Sequence, residues 1–204
     1  MAPVAGKPLL AYSVEHAVNS RMVGRTAVST DDPELAATAK QYGAQAVIRP
    51  QELATDTASS ESALLHALDQ VEQQGFRADL VVFLQCTSPV RKPDDIDNAV
   101  QTLLDAEADS LFSATPSHWL IWRRSQEGVD SLNYDFRNRK RDQELPDELR
   151  ENGSIYVFKP WVLREENNRL GGKIAVYQMD YWSSFQIDSA EDLQLCEWIL
   201  RRQR

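Results

Sequence analysis

Asp79-Leu80-Val81-Val82-Phe83-Leu84-Gln85 is the stretch on which the fold turns. A nearly continuous apolar run between polar ends predicts a central parallel strand covered on both faces. The polar loop Gln85-Cys86-Thr87-Ser88-Pro89-Val90-Arg91 follows it, then a helix starting at Pro93 and Asp94 and ending near Ala106, then a strand over 110–114. Upstream, Leu9, Leu10, Ser13, Val14 and Ala17 recur at helical spacing. Thr26-Ala27-Val28 reads as a strand that stops at Ser29-Thr30-Asp31-Asp32-Pro33, where Asp32 can cap and Pro33 can open a helix through Tyr42. Gly43 closes that helix, Ala46-Val47-Ile48 forms a strand, and Ser59 or Ser60 opens a helix to about Gln73.

Downstream of Pro116 the pattern changes. As far as Pro146 the residues are aromatic and basic, among them Trp119, Trp122, Tyr134 and Phe136, with little helical period, which reads as an excursion from the core. The earlier pattern returns with Ser154-Ile155-Tyr156-Val157-Phe158, a short helix over 161–165, a strand over 173–178 and an amphipathic helix from Ala190. Strands separated by helices predict an α/β fold with a doubly wound, mainly parallel sheet, in one domain over 1–204 that carries 116–146 as the excursion. Ligands of such sheets bind beyond the carboxyl ends of the strands.

Composition narrows the partners. A net charge of -9 argues against nucleic acid and anionic membranes, which need a positive field. Cys86 and Cys196 are too sparse for a disulfide framework or metal knuckle, and no run approaches the roughly 18 apolar residues of a membrane span. With neither a signal-peptide pattern at Met1-Ala2-Pro3-Val4 nor a framework of disulfides, the expectation is a soluble cytoplasmic protein.

Three polar segments can carry chemistry. Gln85 to Arg91 offers an amide, hydroxyls and a guanidinium, a set suited to a base and sugar and equally readable as a plain loop and helix cap. Arg150-Glu151-Asn152-Gly153 follows the basic run Arg137-Asn138-Arg139-Lys140-Arg141; guanidinium forks there would bind phosphate or carboxylate, unless the run is a solvated hairpin or subunit contact. In Gln186-Ile187-Asp188 the carboxylate can hold a hard cation or cap the last helix, and Asp31 and Asp32 face the same choice, with Pro33 favouring the cap. His16, His66 and His118 show no ligand spacing, and the nucleophile-elbow, P-loop and dinucleotide motifs are missing from the sequence.

Read in order, Pro3-Val4-Ala5-Gly6-Lys7-Pro8-Leu9, Ser29-Thr30-Asp31-Asp32, Arg49-Pro50, Leu53-Ala54-Thr55-Asp56-Thr57-Ala58-Ser59-Ser60, Leu84 to Arg91, Arg150 to Tyr156 and Ile187-Asp188 resemble the acylneuraminate cytidylyltransferase family over nearly the whole chain. The resemblance implies a nucleotide-diphosphosugar transferase-like fold and transfer of CMP from CTP to a nine-carbon α-keto acid sugar. Pyrophosphate leaves, and Mg2+ or Mn2+ assists. Carried over by motif, Gln85, Ser88 and Arg91 lie at the nucleotide with Ser59 or Ser60, and Arg91 and Asp188 are catalytic. Asn152 and Tyr156, with Arg141 or Gln143, meet the sugar acid or the nucleotide phosphate, and Asp188 holds the metal. The excursion resembles the family's dimerisation arm and implies a homodimer.

Departures from the family pattern set further expectations. The family opens with a strand and a Gly-rich loop just upstream of the segment that here starts at Pro3, which predicts either a truncated chain or an impaired one, with a gap in the middle of the sheet. Cys86 replaces a usual proline, Gln186 a second metal-binding aspartate and Asp142 a common arginine. Thr87-Ser88-Pro89 and Asn152-Gly153 speak for sialic, legionaminic or pseudaminic acid over the eight-carbon acid Kdo. The rival readings are a non-catalytic homologue binding nucleotide or sugar as a dimer partner, and a metal-dependent glycosyltransferase, whose Asp-x-Asp pair Gln186-Ile187-Asp188 does not supply.

Overall fold

A computed structural model describes residues 3–55, 57–144 and 147–202, and of Asp142 the backbone alone. Asp56 of the quoted motif, the side chain of Asp142 and the excursion's expected end at Pro146 lie outside the described residues.

Side-chain caps start two of the helices where the sequence places them. A short antiparallel pair, β1 (Pro3–Val4) and β2 (Lys7–Pro8), leads into α1 (Leu9–Asn19). After β3 (Ala27–Thr30), Asp32 caps α2 (Pro33–Gln41) by accepting from the Glu34 and Leu35 N–H groups at 2.6 and 3.2 Å. β4 (Gln45–Ile48) follows, and Ser59 caps α3 (Ser60–Gln73) by accepting from Ser62 N at 3.1 Å. β5 (Val81–Leu84) precedes α4 (Asp95–Asp105), where Ile96, Ala99, Val100 and Leu103 form one stripe, each no more than 4% exposed. Burying each of the larger three contributes about 1.5–3 kcal/mol.

β6 (Ser110–Ser117) runs out into a hairpin of β7 (Trp122–Ser125) and β8 (Gly128–Ser131), followed by one-turn helices over Phe136–Asn138 and Asp142–Glu144. The chain returns along β9 (Glu148–Phe158), then α5 (Pro160–Glu166), β10 (Ile174–Gln178) and α6 (Ala190–Arg202).

The sheet is mixed, which corrects the expectation of a mainly parallel one. Its order is β10-β6-β9-β5, with β10 parallel to β6 and β9 antiparallel to both neighbours. The long β9 is the return limb of the excursion, so it comes back against β6 without a crossover helix, as hairpin-like connections do. Helices still cover both faces. Ile155 and Val157 pack with α4, and Tyr156 and Phe158 with α3 and α5.

β3 and β4 pair in parallel as a separate two-stranded unit. The break lies at β5, whose four residues are all half-buried, correcting the expectation of a strand sealed within the sheet. Among the described residues no helix is long and apolar enough to cross a membrane.

Candidate active site

β9 loses register against β6 between Phe112 and Ala114. Phe112 pairs with Tyr156 and Ala114 with Glu151, so residues 152–155 lie opposite Ser113. This bulge places Asn152-Gly153-Ser154 just past the carboxyl end of β5 and opposite the middle of β6, and bulges of this kind re-aim side chains. Ser113 Oγ holds it, donating to Asn152 Oδ1 at 2.6 Å and accepting from Ile155 N at 2.8 Å.

Asn152 is fully buried and its bonds point into the protein. Its Nδ2 donates to Ser183 O at 3.0 Å, and its carbonyl accepts from Gln186 Nε2 at 2.8 Å and Ser88 Oγ at 3.4 Å. Gly153 follows with φ of 61°, and a Cβ there would strike Gln85 Oε1 and come within 2.8 Å of Gln186 Nε2. Glycine thus lets two amide side chains close over the backbone.

Arg91 lies beneath this floor, 4% exposed. Its guanidinium donates to Gln85 O at 2.9 Å, Ser154 O at 2.8 Å and Ser13 Oγ at 3.0 Å, joining β5, β9 and α1. Burial lowers its pKa to about 10, with Cys86 and Asp95 opposing that shift. Burial also raises the Cys86 thiol.

The segment before α6 is tied to the same floor by Ile187 N donating to Thr87 O at 2.8 Å. Asp188 comes next and is exposed. Ser189 and Asp192 form a reciprocal cap at the helix start, Ser189 Oγ donating to Asp192 Oδ2 at 2.8 Å and accepting from Asp192 N at 3.2 Å. Capping is thereby done by Ser189. Among the described residues no group of three or more His, Cys, Asp and Glu is placed to hold a metal. One exposed carboxylate beside a polar floor suits a magnesium-type ion, which keeps waters and rides on substrate phosphates, better than zinc.

A second cluster lies on the α3 side. Arg169 stacks over Phe83 and Tyr156, 4.9 and 5.0 Å from the ring centroids, and pairs with Glu61 at 2.6 Å while donating to Ser60 Oγ. Burial pushes the Glu61 carboxyl up, but the Arg169 bonds outweigh it and hold the group below its ordinary value. Tyr156 OH donates to Glu151, and burial with that carboxylate raises the phenol's pKa. Arg169 had no motif signal, because it stands in an irregular loop and acts through ring faces.

The structure therefore bonds the segments carrying Gln85, Ser88, Arg91, Asn152 and Asp188 into one floor, and places Ser60 and Tyr156 around Arg169. Ser59 sits at the α3 start as its cap. Arg141 and Gln143 are exposed on the excursion, where Arg141 O accepts from Glu144 N at 2.8 Å, and no hydrogen bond or ion pair among the described residues joins them to the floor.

Comparison with known proteins identifies the family and the fold. Residues 1–159 match the protein family described as cytidylyltransferase. The chain is 31% identical over 198 residues to N-acylneuraminate cytidylyltransferase A of Danio rerio, covering 95% of this chain and 45% of that protein. It thus spans about half the length of such fish relatives. It is 29% identical over 198 residues to a pseudaminic acid cytidylyltransferase of Campylobacter jejuni, covering 94% of this chain and 84% of the relative. In three dimensions it resembles a CMP:2-keto-3-deoxy-manno-octonic acid synthetase solved with CTP, with a TM-score of 0.73 at 17% identity over 100% of this chain and 91% of that one. A 4-diphosphocytidyl-2C-methyl-D-erythritol synthase from Anaerococcus prevotii gives 0.70 at 12% identity over 98% of this chain and 88% of its own.

Proposed function

Because the chain belongs to the cytidylyltransferase family, we propose that it transfers CMP from CTP to the anomeric oxygen of a nonulosonic acid of the sialic, legionaminic or pseudaminic type. The anomeric oxygen forms a bond to the α-phosphorus of CTP, the bond to the β-phosphate breaks, pyrophosphate leaves, and the hydroxyl proton is lost to solvent. No enzyme nucleophile is required, since nucleotidyl transfer depends mainly on alignment and charge neutralisation. The observation that carries the reading is the bonded floor at the strand ends, built from the Gln85 loop, the β9 bulge and the Asp188 segment.

In this reading the Gln85 amide, half-buried beside Gly153, donates to and accepts from the cytosine edge. Arg91, Ser88 and Asn152, being buried, act as positioning residues that hold the floor. Ser60, Tyr156 and Arg169 flank the sugar or phosphate. Asp188 would hold Mg2+ or Mn2+, which supplies charge neutralisation for the phosphates. The excursion, with Trp119, Trp122, Val129 and Phe136 exposed, would pair two copies and carry Arg141 and Gln143 to the partner's site.

The test is pyrophosphate release from CTP with magnesium and each of the three sugars, on the 204-residue chain and on a form extended upstream of Met1. Release that depends on one of the sugars, in either form, is the expected result. If both forms are silent with all three, the transferase reading fails and a nucleotide- or sugar-binding role replaces it.

A further inference from the structure

Lys92 follows Arg91 at the exit of the Gln85 loop, and two carboxylates outside the floor grip it. Asp95, at the start of α4 and 4% exposed, accepts from Lys92 N at 2.6 Å and from the Tyr177 hydroxyl of β10 at 2.9 Å. Asp180, two residues past β10, pairs through Oδ2 with Lys92 Nζ at 2.8 Å. Its Oδ1 accepts from Ser183 N and from Ser183 Oγ, each at 3.1 Å, and so shapes the one-turn helix Tyr181–Ser184.

This turn is the one on which the floor rests. Ser183 O accepts from Asn152 Nδ2 at 3.0 Å and Ser184 O from Arg150 Nη2 at 3.1 Å, while Gln186 reaches the Asn152 carbonyl at 2.8 Å. A continuous chain of bonds thus runs from Lys92 through Asp180 and Ser183 to Asn152. Each oxygen of Asp180 serves one side, so a single carboxylate fixes the loop exit and the turn relative to one another. The segment from Asp180 to Ile187 is pinned to the Gln85 loop at both ends, by Lys92 at one and by the Ile187 N to Thr87 O bond at the other. Arg91, bonded to Gln85 O, Ser154 O and Ser13, sets the same loop against β9 and α1.

We propose that Asp180 and Lys92 are positioning residues for the transfer step, their ion pair setting the 180–188 segment against the Gln85 loop and thereby aiming Asn152-Gly153. The step they serve rests on the transferase reading; the brace itself rests on the bonds. The pair is open to solvent, and such pairs add little to stability. Its loss therefore appears in alignment rather than in unfolding, since a small displacement of the groups that position substrate slows transfer while nucleotide still binds.

The test uses Lys92→Ala, Lys92→Arg and Asp180→Ala in the full chain, each read by the nuclear magnetic resonance signal of the Asn152 side-chain amide, by calorimetric titration with CTP and by pyrophosphate release. Lys92→Ala and Asp180→Ala should both move the Asn152 signal and lower kcat about tenfold, with CTP affinity kept within about twofold. The double variant should be no slower than Asp180→Ala, because both changes break one pair. Lys92→Arg, which keeps the charge, should restore the signal and the rate. The Lys92 side chain is exposed, so its variants keep the fold even where Asp180→Ala does not. An unmoved Asn152 signal in Lys92→Ala, a CTP affinity that falls as far as kcat, or Lys92→Arg as slow as Lys92→Ala overturns the proposal. If the natural chain releases no pyrophosphate with any of the sugars, the transferase reading fails, and the Asn152 signal alone decides whether the brace exists.

Discussion

Arg91 brings a positive charge into the interior and meets there two carbonyls and a hydroxyl from three different elements. Bonds from a charged donor contribute about 1.5–3 kcal/mol each, and a planar fork can reach several acceptors at once where an ammonium reaches fewer. Arg91→Lys should therefore lower unfolding free energy by about 2–3 kcal/mol in urea titration. An unchanged midpoint would mean that the bonds do not hold the floor. The family resemblance placed Arg91 at the nucleotide as a catalytic residue, whereas the structure buries it at 4% exposure and bonds it to the loop and to β9. That difference rests on burial, which depends on where α1 and β9 come to lie. Arg169 was illegible for a related reason, since its partners Glu61, Phe83 and Tyr156 are distant in sequence.

At the scale of elements, helix positions were legible because their signals are local. Asp32 with Pro33, Ser59, and the stripe from Ile96 to Leu103 act within a few residues. Strand direction was not, because β9 is antiparallel through the return of the excursion, which nothing within Ser154 to Phe158 encodes. Helix α1 carries a pH dependence of its own. Burial, helped by the Arg91 charge and opposed by Glu15, lowers the His16 pKa from 6.5 to about 4. In the pH window between those values the unfolded chain binds a proton that the folded chain refuses, so stability present above pH 6.5 is lost as pH falls toward 4. The loss reaches at most about 3 kcal/mol. His16→Leu should flatten that part of the stability profile, and an unaltered acid slope would assign the sensitivity to other groups.

For the whole molecule, the sheet's interruption beside β5 and the bonded floor at its carboxyl end are two consequences of one arrangement. Among the described residues β5 pairs along one side alone, with β9, and it carries the Gln85 loop at its tip. Convergence of the motif segments was legible from the rule that α/β sheets bind ligands at strand ends, while the bulge that aims Asn152-Gly153 was not, since it arises from register against Ser113. The central claim is that a cytosine is read on this floor by the Gln85 amide. Calorimetric titration with CTP and UTP, comparing the natural chain with Gln85→Ala, tests it most directly. The account predicts that the substitution weakens CTP binding by about tenfold, or about 1.4 kcal/mol, and narrows the preference for CTP over UTP. Equal CTP affinity in the two proteins would contradict it.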